Sequence, residues 1–250
     1  MAGSIIVFSG MDGAGKSTQI DSLQTALLAA GRRPVTLWSR GGYTPGISLI
    51  KSLMRRGSAG TVVPESGPSD SRTQAFERPL VRRTWLSLAI IDLMLLYGVW
   101  VRIQKWTGRD VICDRYLEDT ALDFHINFPQ ESVSTWWLWR MLEFVCPRPD
   151  HTFLLLISVE ESQRRSKLKN EPFPDSAEVL ATRLAAYRDW EGQSRPSTSA
   201  GIHVIDGTGS IEEVSRTVQS TVFGSIGGSS NPRQADSTIQ SPNSPQSHIA

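Results

Sequence analysis

Two patterns of apolar and polar positions alternate along this chain. Short runs dominated by branched aliphatic and aromatic residues recur at 4–9 (SIIVFS), 34–38, 110–113, 152–158 (TFLLLIS) and 203–205. Runs of that length without a polar face read as strands buried on both sides. Between them the apolar residues fall at helical spacing. Ile20, Leu23, Leu27 and Leu28 mark a helix over 17–30, and further helices are predicted at 84–106, 132–145, 159–169, 176–192 and 211–223, with a short one at 47–54. Strands alternating with helices require crossover connections. They predict an α/β three-layer fold, a five-stranded parallel sheet flanked by helices.

Glycine and proline punctuate the rest. Residues 40–46 read as a Gly/Pro loop and 57–72 as a mobile surface loop rich in Gly, Ser and Pro. From residue 224 onward the chain is mostly Gly, Ser, Pro, Asn and Gln. Such a segment buries too little apolar surface to offset its ordering entropy. The expected organisation is one domain over 1–223 and a disordered tail over 224–250.

Composition narrows the classes. With 26 Lys and Arg against 25 Asp and Glu, the net charge of +1 argues against a broad basic surface for nucleic acid. The two cysteines, Cys113 and Cys146, form neither a CxxC pair nor a His/Cys cluster, so a reduced cytoplasmic compartment is expected. The N-terminus lacks a basic leader and is not read as a signal peptide. The apolar stretch 86–101 is shorter than the roughly 20 residues that span a bilayer and carries Asp92 in its middle, so it is expected to be a core helix.

The chemistry concentrates where the first strand ends. Residues 10–17, GMDGAGKS, fit G-x-x-x-x-G-K-S/T without a gap. Such a loop turns backbone N–H groups inward around phosphate oxygens. Gly10, Gly13 and Gly15 permit the dihedrals, Ala14 keeps the loop small, and the helix that follows adds its positive end. Lys16 reaches the β- and γ-phosphates, the Ser17 hydroxyl ligates Mg²⁺, and Thr18 continues the phosphate-binding turn. The motif predicts binding of ATP with Mg²⁺.

Five segments together resemble the thymidylate kinase family. The run from Ile5 to Gln19 is similar to its first strand and phosphate loop, and Val111-Ile-Cys-Asp-Arg-Tyr116 to its strand ending in Asp-Arg-Tyr. Pro149 to Leu155 resembles its Pro-Asp strand, Glu160 to Arg165 the helix entering its lid, and His203 to Gly207 its last strand. The resemblance implies a five-stranded parallel core and transfer of the γ-phosphoryl of ATP to a nucleoside 5′-monophosphate, dTMP being the best single choice. It implies Asp12, Arg40, Arg115 and Tyr116 on the acceptor side, Asp114 beside Mg²⁺ with Ser17, and Lys16, Arg115 and Arg165 as catalytic cations. A lid at about 164–176 would carry the basic cluster Arg164, Arg165, Lys167 and Lys169. The expected partners are nucleotide substrates, with a homodimer allowed and neither nucleic acid nor membrane involved. The same roles suit phosphoryl transfer, which needs positive charge around a spread-out anionic transition state.

The acceptor side departs from the family. Where its middle helix carries Arg after Asp, this chain has Leu93 after Asp92, and the loop after the second strand lacks Glu-Pro. Asp119, Leu122 and Asp123 replace a small hydroxyl residue, a small residue and an aromatic. The two carboxylates are expected on the solvent face of a helix, because Asp is seldom buried. Trp136, Trp137 and Trp139 are expected mainly in the core. A same-fold kinase of a modified nucleotide or sugar phosphate therefore stays open, as does a regulatory ATPase. A guanine-nucleotide switch is disfavoured: there is no Asn-Lys-x-Asp, and Asp206 to Gly209 fits D-x-x-G in the wrong place.

Overall fold

The computed structural model describes residues 3–38, 76–169, 174–191 and 202–227. The sequence-predicted loops at 40–46 and 57–72, the helix at 47–54 and Arg40 lie outside these residues.

Five strands form one all-parallel sheet: β1 (Ile5–Gly10), β2 (Pro34–Trp38), β3 (Asp110–Asp114), β4 (His151–Leu156) and β5 (Ile202–Asp206), in the order β2-β3-β1-β4-β5. Strand β1 is buried along its whole length. Alternate side chains serve opposite faces. Ile6, Phe8 and Ile112 join one core, while Ile5, Val7, Val111 and Cys113 join the other. That double burial is why these strands read as unbroken apolar runs.

The first core is closed by helix α1 (Lys16–Ala29), with the later helices α7 (Ala177–Glu191) and α8 (Ile211–Gly227). Helix α8 extends to Gly227, four residues past the predicted end of the ordered domain. Val214, Val218 and Val222 anchor it to the core at helical spacing.

The second core is closed by α2 (Pro79–Leu93), which continues through a π-helical segment (Met94–Val101) into α3 (Arg102–Trp106). Its start lies five residues before the predicted one, with Pro79 in the first turn, where its missing N–H costs nothing. The run from Pro79 to Trp106 spans 28 residues and is long and apolar enough to cross a membrane by length and composition. Here Leu86, Ala89, Ile90, Leu93, Tyr97 and Val101 pack into the second core. Ile91, Leu95, Val99 and Ile103 lie exposed. The expected core helix is thus buried on one side only.

Helix α4 (Leu117–Asn127), the helix expected to carry Asp119 and Asp123 but left without bounds by the apolar pattern, starts directly after β3. Its first turn is closed by the Asp119 carboxylate, which accepts from the Tyr116 N–H at 3.1 Å. The predicted helix over 132–145 is a 3₁₀ turn (Val133–Thr135) followed by α5 (Trp137–Val145), because Trp136 is extended. Of the three tryptophans, Trp139 is in the core and Trp137 is exposed. Helix α6 (Val159–Leu168) follows β4, with Ser158 capping its N-terminus.

Candidate active site

The carboxyl ends of β1, β2 and β3 meet at one level, where Phe8 and Trp38 each pair in register with Asp114. Ligands bind at this edge in parallel α/β sheets. A cleft of about 180 Å³ opens here, lined by the phosphate loop together with Trp38, Asp114, Arg115 and Lys169.

The loop geometry follows from its glycines. Gly10 has φ 127°, and a Cβ there would stand 2.0 Å from the Leu155 carbonyl oxygen, so the loop can leave β1 against β4 only with glycine. Gly15, at φ 93°, ends the loop and sets the start of α1. Ser17 and Thr18, exposed in its first turn, line the cleft. Ala14 is buried in the first core beneath the loop.

Lys16 is buried, and its ammonium donates to the carbonyls of Gly10 (3.0 Å) and Met11 (2.8 Å), with Asp12 at 3.7 Å. Burial, reinforced by the Arg115 cation, lowers its pKa to about 8 against the pull of Asp12, Asp114 and Asp119. Asp114 is pushed above the usual carboxylate range, chiefly by burial, with Lys16 and Arg115 opposing. Its Oδ1 is buried and has no hydrogen-bond partner. An orphaned carboxylate oxygen in a cleft that also holds the Ser17 hydroxyl is a hard-oxygen donor set suited to Mg²⁺. Magnesium takes few protein ligands, completing its shell with phosphate and water. The residues present therefore fit the ion.

Arg115 is the one non-glycine residue at positive φ (73°) among the described residues. Its N–H donates to the Phe8 carbonyl at 2.9 Å, which ties the strained residue to β1. The guanidinium is buried. It bonds to the Asp12 carboxylate, donates to the Tyr187 hydroxyl at 3.0 Å, and lies 3.4 Å from Asp119. Burial alone would lower its pKa, but Tyr187, Asp119, Asp12 and Asp123 more than reverse this and keep it charged.

Other sequence-predicted residues fall elsewhere. Tyr116 lies in the second core, its ring 4.4 Å from that of Tyr97 and its hydroxyl donating to the Pro147 carbonyl at 2.8 Å. It therefore does not line the cleft. Arg165 is not among the residues lining the cleft and donates to the carbonyls of Gly13 (3.0 Å) and Gly207 (3.1 Å). Glu161 holds both Arg164 and Arg165, which keep its carboxyl down at about 2. Within the basic cluster it is Lys169, at the end of α6, that faces the cleft. Asp206 bonds its own turn, accepting from the Thr208 N–H (2.9 Å) and hydroxyl (2.7 Å).

The acidic departures are corrected by the structure. Asp119 and Asp123 lie 1% and 6% exposed, not on a solvent face. Each has a cationic neighbour: Asp119 is near Arg115, and Asp123 pairs with Arg183 at 2.6 Å. Leu93, at the position where the family's middle helix carries an arginine, is a core residue. The sequence reading missed Tyr187, Arg183 and Trp38. Tyr187 is 72 residues from Arg115 and reads as one more apolar position on a helix, so only its hydroxyl's destination reveals a polar role.

The fold and the cleft define a P-loop nucleotide-binding protein of the kinase type. No family model matches the chain. It is 26% identical over 226 residues to the thymidylate kinase of Bartonella henselae, covering 88% of this chain and 94% of that one. The thymidylate kinase of Burkholderia cenocepacia is 26% identical over 226 residues (87% and 96%), and that of Bifidobacterium longum subsp. infantis 27% over 229 residues (89% and 87%). The chain is thymidylate kinase-like, a phosphotransferase of the nucleoside monophosphate kinase type.

Proposed function

We propose that this protein transfers the γ-phosphoryl group of ATP to a nucleoside 5′-monophosphate, with dTMP as the first acceptor to test. The observation that carries this reading is the meeting of Lys16, Asp114 and Arg115 in one cleft at the carboxyl edge of the sheet. An acceptor phosphate oxygen attacks the γ-phosphorus, and the bond from that phosphorus to the β,γ-bridging oxygen breaks. Lys16 and the loop N–H groups bind the donor phosphates. Arg115 lies where it can hold acceptor and transferred phosphates together, and Lys169 adds positive charge from the lid side. Mg²⁺, held by Ser17 and Asp114, would neutralise charge on the β- and γ-oxygens when bound. Residues 164–176 are proposed to close as the lid and exclude water. Arg165 supports the loop in this arrangement.

A second acceptor class is favoured by one observation: Leu93 is packed in the core, so α2 offers no arginine to a base at that position. A modified nucleotide or a sugar phosphate is that alternative. The test is ADP release from Mg-ATP with dTMP, dUMP, UMP, CMP, AMP and GMP, against a blank without acceptor. Turnover above the blank with a pyrimidine monophosphate supports the proposal. A flat panel with ATP bound rejects a nucleotide acceptor. ADP release equal in the blank indicates a regulatory ATPase.

A further inference from the structure

We propose that Asp119 and Tyr187 are positioning residues that form a fixed, buried seat for one edge of the Arg115 guanidinium, leaving its other edge to exchange Asp12 for substrate phosphate. The inference rests on the kinase reading for its catalytic consequence, but the seat itself is a structural claim.

A buried guanidinium carries five donors and no acceptor, so its position is set by the acceptors around it. Two carboxylates hold Arg115, and they differ in kind. Asp119 is 1% exposed and accepts from three donors, two of them on other elements and one at the start of its own helix. These donors are the Ser9 hydroxyl at the end of β1 (2.5 Å), the Tyr116 N–H at the start of α4 (3.1 Å) and the Tyr187 hydroxyl on α7 (2.9 Å). A carboxylate with that many donors cannot follow the arginine if it moves. Asp12, in contrast, lies on the loop with its side chain 26% exposed and is shared with Lys16. Nη1 therefore faces the fixed carboxylate and Nη2 the accessible one. Arriving phosphate oxygens compete with Asp12 for Nη2, while the Nη1 edge stays bonded.

Tyr187 completes the seat. Burial and the nearby Asp119 carboxylate hold its hydroxyl well above the usual tyrosine range, so it keeps its proton and donates to Asp119 while accepting from Arg115. Capping of α4 by Asp119 requires neither contact. The same helix is fixed by Arg183, which pairs with Asp123 of α4 (2.6 Å) and donates to Asp175 (2.9 Å), at the C-terminal end of the proposed lid segment. The seat thus links Arg115 to the helix that leaves the lid.

The test is Tyr187→Phe, which keeps the core ring and removes only the hydroxyl, with Asp119→Asn as the second variant. Guanidinium ¹⁵N NMR, with the Arg115 signals assigned by Arg115→Lys, is expected to show separate, slowly exchanging Nη1 and Nη2 signals in the wild type. In both variants they should merge while the unfolding temperature of Tyr187→Phe stays close to that of the wild type. With an active acceptor, kcat of Tyr187→Phe should fall about tenfold or more and the KM for ATP should stay within about twofold, since only an edge bond to the transition-state arginine is lost. Unmerged signals in Tyr187→Phe, or a kcat within twofold of wild type, overturn the proposal. If no acceptor in the panel is turned over, the kinase reading fails and the NMR comparison alone decides the seat.

Discussion

Arg165 donates to the carbonyl oxygen of Gly13 at 3.0 Å, so the helix that leads into the proposed lid is bonded to the phosphate loop itself. The same guanidinium reaches the Gly207 carbonyl at 3.1 Å, joining the loop to the turn after β5. Three segments far apart in sequence are thus held by one cation.

Arg165→Ala is expected to weaken ATP binding by about 10- to 100-fold, the range for losing a charged hydrogen-bonding group, with the acceptor KM changed less. Calorimetric titration of the variant with Mg-ATP checks it. An unchanged Kd would mean that the loop keeps its shape without this tie.

Lys16 gives ATP binding a pH dependence of known sign. The unliganded ammonium has a pKa of about 8, and phosphate binding requires the charged form. Affinity should be flat below about pH 8 and fall as pH rises above it, by up to about tenfold per unit. In the unliganded protein the sign reverses. A lysine whose pKa is lowered on folding makes the native state more stable as pH rises from about 8 towards the ordinary 10.5. Binding and unfolding measured from pH 7 to 10 on wild type and Lys16→Met isolate both effects as differences, and parallel curves would remove Lys16 as the source.

Asp114→Asn should raise the Mg²⁺ concentration for half-maximal ADP release by about tenfold or more, since an amide is a weaker ligand for a hard cation than a carboxylate. The wild-type requirement should rise as pH falls through the raised pKa of Asp114, and the variant should lose that dependence. A magnesium titration at two pH values reads both outcomes. An unaltered requirement would assign Asp114 a structural role.

Gly10→Ala would place a methyl group 2.0 Å from the Leu155 oxygen at φ 127°, which no side-chain rotation relieves. The expected cost is about 3 kcal/mol or more from strain and overlap. That corresponds to a fall of roughly 6–12 °C in unfolding temperature for a domain of this size. A loss of only a degree or two would show that β1 and β4 separate easily at this edge.

Local chemistry made much of the molecule readable. The run from Ile5 to Ser9 is apolar on both faces, and nothing but a doubly covered strand buries it. Gly10, Gly15, Lys16 and Ser17 form a contiguous motif whose spacing already fixes its geometry. The bounds of the helix Leu117–Asn127 were not readable, since Tyr116 occupies the cap position where Ser, Thr, Asp or Asn would signal a start. The capping carboxylate comes instead from Asp119, three residues on, and serves the arginine seat as well.

The sequence by itself determined the α/β order, the phosphate loop and the candidate roles of Lys16, Ser17, Asp114 and Arg115, because each rests on neighbours a few residues apart. Only the tertiary structure decided which charges meet. It buried Asp119 and Asp123 beside Arg115 and Arg183, turned Tyr116 into the core, bonded Arg165 to the Gly13 carbonyl of the loop and brought the Tyr187 hydroxyl to Arg115. The Arg115–Tyr187 and Asp123–Arg183 pairings depend on how α7 docks against β4 and α4. That docking is set by packing across the whole domain and leaves no local pattern in the chain.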